Sequence, residues 1–155
     1  MADSVPHDGH SDPVKRLILR AGLLFGLLVQ LASGVWPLLW PRHFYATFPI
    51  PGHPWQAWQP AYNEHLIRDF GALNLVLALL FAVAAYTMDV LVTRTALVGY
   101  LVFGVPHLIF HLNHLHGLPT ADAVAQVVSL SLGVAGPLFL LALTRADPVR
   151  AGESD

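Results

Sequence analysis

Three histidines, His107, His111 and His114, recur at i, i+4 and i+7 near the far end of a long apolar segment, Gly104-Val-Pro-His-Leu-Ile-Phe-His-Leu-Asn-His-Leu-His116. On a helix that spacing is one face. Imidazole can bind a metal, ligate haem, or move a proton near neutral pH, and it is rare within apolar spans unless it has a task. A second polar group opens another apolar segment, Asn63-Glu-His-Leu-Ile-Arg-Asp-Phe-Gly71. Glu64 and Arg68 stand at i, i+4, and so do His65 and Asp69, which gives two local pairs on adjoining faces.

Three chemistries fit these residues. In the first, His111 with His107 or His114 holds a metal, and His65, Glu64 or Asp69 completes the shell. An i, i+4 or i, i+3 pair can share an ion. His107 and His114 cannot easily do so, since about 10 Å of helix axis separates them. Imidazole and carboxylate without thiolate would suit zinc, copper or non-haem iron. In the second, histidines on facing helices, His65 and His111 for instance, ligate haem, or a histidine–carboxylate pair holds a quinone head group. In the third, the histidines, Asn113, Arg68 and Asp69 form a hydrogen-bonded network that locks helix ends and contacts a partner or small ligand. Interhelical hydrogen bonds of this kind are worth about 0.6–2 kcal/mol each.

The elements that must position these groups follow from composition. Of 155 residues, 55% are hydrophobic and only 12% charged. Soluble domains carry about 25% charged residues, so a membrane protein is expected. The net charge of −2 supplies no basic field for nucleic acid. Cysteine is absent, which excludes disulfides, iron–sulfur ligation and dithiol redox chemistry. No internal repeat, nucleotide-binding glycine loop or nucleophile motif with a histidine partner is present.

Four apolar stretches, about 17–40, 64–86, 95–115 and 122–143, are each long enough to cross the hydrocarbon core. The first is too long for the apolar region of a cleavable signal peptide, about 7–15 residues. Residues 1–14 read as a disordered tail, 15–145 as the transmembrane domain and 146–155 as a second tail. The segment 41–63 carries Pro41, Pro49, Pro51, Gly52, Pro54 and Pro60, which forbid a long helix. Its tryptophans and tyrosines suit the headgroup level, so it is expected to lie along the interface over one end of the bundle. Thr120 is expected to cap the fourth helix and Asp122 to favour its first turn. His43 and His53 read as ordinary loop histidines, and Gly22-Leu-Leu-Phe-Gly26 as a close-packing motif within the chain.

Four spans place both termini on one side. That side collects Lys15, Arg16, Arg20, Arg94, Arg145 and Arg150, against Arg42 and Arg68 on the other. The positive-inside rule makes the termini cytoplasmic. The fold expected is therefore all-α: an antiparallel four-helix transmembrane bundle in the cell membrane. At about 1.5 Å per residue, Asp69 lies roughly 7 Å and His107 roughly 12 Å into the outer end, with Asp69 as the expected partner of His107.

The four spans and the charged opening of the second helix, ending Arg68-Asp69-Phe70-Gly71, resemble the DoxX-like group of small bacterial four-helix membrane proteins over residues 15–145. Asn63-Glu-His-Leu-Ile-Arg-Asp69 with Pro106-His-Leu-Ile-Phe-His-Leu-Asn-His114 is similar to a narrower set of small bacterial membrane proteins. The resemblance implies a four-helix bundle and, for some relatives, association with quinone-linked oxidoreductases. It carries over no catalytic residue. The function expected is a non-enzymatic membrane component whose outer polar cluster meets a membrane-protein partner, a second copy or a small ligand. The alternative is a metal-, haem- or quinone-binding redox or proton-transfer protein. The lipid bilayer is the surrounding partner in either case.

Overall fold

A computed structural model describes residues 13–58 and 61–144. The tail residues 1–12 and 145–155 lie outside the described residues, and with them Arg145 and Arg150. Four long helices dominate: α1 (Pro13–Leu39), α3 (Glu64–Thr87), α4 (Val90–Leu112) and α5 (Thr120–Leu143). All four are long and apolar enough to cross a membrane. At 23–27 residues each they extend roughly 35–40 Å, beyond a hydrocarbon core of about 30 Å. The first and third begin four to five residues earlier than hydropathy suggests, because Pro13 opens α1 and Asp89 caps α4 by accepting from Val92 N (2.9 Å). Asn63 caps α3 in the same way through Leu66 N (3.1 Å). Met88, in the left-handed conformation, ends α3 and turns the chain directly into α4.

Between α1 and α3 the proline-rich segment folds compactly. Pro41 occupies the first turn of α2 (Pro41–Thr47), where its missing N–H costs nothing. A two-residue hairpin follows, β1 (Pro49–Ile50) with β2 (His53–Pro54), turning at Gly52 with φ +91°. A 3-10 turn over Trp55–Trp58 completes it. Phe44 is buried beneath α2, and Trp36, Phe44, Phe48 and Trp55 meet edge to face or tilted at 4.7–6.1 Å.

The helices pair as α1 on α3, α4 on α5 and α3 on α4, while α1 and α5 touch sparingly. Along α1 and α3 the meeting points run from Arg20 with Ala85, through Gly26 with Phe81, to Gly34 with Gly71. At the last of these the backbones nearly touch: a methyl group on Gly71 would stand 2.8 Å from Gly34 O. The two glycines of Gly22-Leu-Leu-Phe-Gly26 face Leu140 and Phe81, so that motif packs within the chain.

The interior has two characters. Toward the termini it is aliphatic, with Leu23 and Leu97 fully buried among Phe81, Ala84 and Leu140. Arg94 closes that end by donating to Thr144 Oγ1 (3.1 Å) and Thr144 O (2.6 Å). Toward the loop it is a run of rings, Phe44 to Phe70 to Phe103 and His107. Outward faces are as apolar as the core: Phe25, Leu28, Leu79, Leu91, Val102 and Leu132 are all mostly exposed. In water such a surface would drive aggregation; against lipid it is matched.

Candidate functional site

The histidine face is shorter than its spacing suggests. The helix α4 ends at Leu112 with Asn113 as its C-cap, so only His107 and His111 share a helical face. His114 lies in the turn beyond. There it stacks on Phe110 (4.0 Å between centroids) and its Nδ1 stands 2.7 Å from Phe110 O.

His107 stacks on Phe103 at 5.0 Å and Phe70 at 6.2 Å. Its ring meets that of His111 edge-on at 4.6 Å. His111 is buried, 5% exposed, and its Nδ1 makes no well-formed hydrogen bond. Asp69, the expected partner of His107, instead pairs with His65 at 3.1 Å on the open surface. The reason is helical geometry. Phe70 takes the direction facing α4, and its neighbour Asp69, about 100° further round, faces out beside the residue one turn back.

Glu64 and Arg68 form their expected pair, with Arg68 Nε donating to Glu64 Oε1 at 3.0 Å. Arg68 also donates to Leu38 O in the last turn of α1, supplying a donor to a carbonyl that the helix end leaves open. Tyr62 donates to Glu64 Oε2 at 3.1 Å and carries Arg42 over its ring at 5.2 Å. Desolvation, then the bond to Glu64, holds the Tyr62 hydroxyl above the usual phenol range, so it remains a donor. The candidate residues thus separate into an exposed rim, Glu64, His65, Arg68 and Asp69, and a floor, His107 and His111. Among the described residues no three histidine, aspartate or glutamate side chains stand together as a metal shell. His65, at 85% side-chain exposure, pairs with Asp69 on the surface, whereas His111 is buried.

The decisive residue at this end is Asp122. Thr120 is the first residue of α5, preceded by Pro119, and provides no side-chain cap. Asp122 does more than suit the first turn: it is buried and its Oδ1 takes His53 Nδ1 at 2.8 Å and Trp55 Nε1 at 3.3 Å. The hairpin is thereby fastened across the helix ends. Likewise His43 is not merely a loop residue, since its Nδ1 accepts from Trp36 Nε1 at 2.9 Å. Under the fastened loop lies a cavity of about 270 Å³ lined by Phe44, Gln56, Leu66, Ile67, Phe70, His107, Phe110 and His111. One turn after Asp122, Gln126 is 2% exposed; its side chain approaches His111, although its Oε1 makes no well-formed hydrogen bond. Gln126 and Gln30 are polar residues within apolar spans, and that placement alone would have marked them from sequence.

Comparison with family models, with curated proteins and with solved structures finds no match to this chain.

Proposed function

We propose that this chain is a small multi-pass integral protein of the cell membrane, an antiparallel four-helix transmembrane bundle with both termini cytoplasmic. Its outer end is a non-enzymatic binding site for a small, flat, partly apolar ligand. The observation that carries this reading is the buried His111, which lines the cavity beneath the loop and whose Nδ1 makes no well-formed hydrogen bond, the Gln126 side chain being the protein group that approaches it. A buried polar atom without a partner costs about 1–3 kcal/mol, and a ligand that hydrogen-bonds it recovers that energy. Phe44, Phe70 and Phe110 give the cavity flat walls, and imidazole can either donate or accept. The fastening of His53 and Trp55 to Asp122 keeps the cover in place.

The DoxX-like resemblance belongs to the same proposal, and the geometry gives its motif a physical reading. Arg68 serves the end of α1, Asp69 holds His65, Phe70 stacks on His107, and Gly71 lets α1 approach. A quinone head group has the flatness and hydrogen-bonding capacity that the cavity asks for. The two imidazoles in edge contact therefore favour redox or proton transfer as the second reading.

The test is solvent extraction and mass spectrometry of protein purified in mild detergent without a metal-binding tag, alongside a visible spectrum and elemental analysis. The expected result is close to one small aromatic molecule per chain, absent from His111→Leu while helicity is retained. Wild-type protein that yields no such molecule, or a His111→Leu variant that keeps it, overturns the reading. A redox-active quinone in the extract selects the second one.

A further inference from the structure

Where α1 and α5 part, a cleft of about 510 Å³ opens from the middle of the bundle toward the end that holds the termini. That volume lies within the range of roughly 300–1,000 Å³ common for small-molecule sites. Its walls are almost wholly apolar, and at Gly136 nothing lies within 4 Å of where a Cβ would stand. Its rim residues Phe25, Leu132 and Phe139 are 56–70% exposed, so it is entered sideways through the surface that faces lipid.

Two polar side chains, Gln30 and Tyr100, break this lining. Gln30 is 4% exposed and its Oε1 has no hydrogen-bond partner. Nearby, the Tyr100 hydroxyl stands beside Gly133, 3.1 Å from where a Cβ would be. A hydrocarbon chain in the cleft would leave the Gln30 oxygen unsatisfied. Gln30 lies four residues from Gly26, the midpoint of α1, or about 6 Å along the axis. Phospholipid polar groups sit about 15 Å from the bilayer centre and do not come to that depth. Apart from a second copy of this chain, a donor arriving at that depth must belong to a molecule that dissolves in the hydrocarbon itself.

We infer that this cleft is a binding site for a lipid-soluble phenol or alcohol, its hydroxyl donating to Gln30 Oε1 and its apolar body lying between α1 and α5. The site is separate from the cavity under the loop, and neither depends on the other.

The test uses full-length protein at one chain per lipid nanodisc. Tritiated 4-dodecylphenol, or its methyl ether, is allowed to partition between these discs and empty discs of the same lipid. The phenol is expected to show a saturable excess near one per chain, with the ether about tenfold weaker because it has no donor. Gln30→Leu keeps the volume and is expected to abolish the preference of phenol over ether. Gly136→Leu grows into open space, since nothing lies within 4 Å of a Cβ there, and is expected to reduce binding of both probes. Equal binding of the two probes, no saturable excess, or a preference that survives Gln30→Leu overturns the inference. So does an excess that vanishes at two chains per disc, which would assign the cleft to a second copy.

Discussion

Asp122 illustrates how much one carboxylate can decide at the scale of a residue. Its side chain is 8% exposed and serves two donors from a loop almost seventy residues away in sequence. Hydrogen bonds to a charged group are worth about 1.5–3 kcal/mol. His53 is half exposed, so solvent screens its share. Asp122→Ala should therefore lower stability by about 1–3 kcal/mol in a detergent melt. It should also free the hairpin, which faster proteolysis between Pro49 and Trp55 would report. His53→Ala, leaving Trp55 attached, should do less. The Arg68–Glu64 pair is a different case. It is about half exposed and local, so Glu64→Gln should leave the melting temperature close to that of wild type.

At the scale of elements, the separation of α1 from α3 is set by Gly34 and Gly71. A methyl on Gly71 would meet Gly34 O at 2.8 Å and Leu38 N at 2.9 Å, both backbone atoms that cannot rotate away. Gly71→Ala should destabilise by about 1–3 kcal/mol through overpacking. Gly136→Ala, with open space around it, should stay within about 0.5 kcal/mol of wild type. Thermal melts of the two variants side by side would check the contrast, and similar melting points would contradict the close approach. The same spacing explains the cleft: α1 is drawn tightly onto α3, so its opposite side stands off α5.

For the whole molecule, the distribution of positive charge predicts which end faces which compartment. The chain contains no cysteine, so a single introduced thiol reports its own side of the membrane without background. Ile50→Cys, exposed in the hairpin, should react with a membrane-impermeant maleimide added to intact cells. Thr87→Cys, exposed at the α3–α4 turn, should react only after the cells are broken. The reverse pattern would invert the proposed topology and place the histidine cavity on the cytoplasmic face.

The four apolar helices were legible in the sequence because hydrophobic length and helix periodicity are local properties, and each of the four segments carries enough of both. The i, i+4 pairs Glu64–Arg68 and His65–Asp69 were legible for the same reason, since helix geometry alone brings them together. The end of α4 before His114 depends on how the chain turns back toward α5, which spacing along one segment cannot carry. The pairing of Asp122 with His53 and Trp55, the turning of Asp69 away from His107, and the unpartnered oxygen of Gln30 are all outcomes of rotation and docking. A change of 100° about a helix axis moves a side chain from a neighbouring helix to lipid without altering any local preference. Only packing fixes that angle, and packing is a property of all four helices and the loop together.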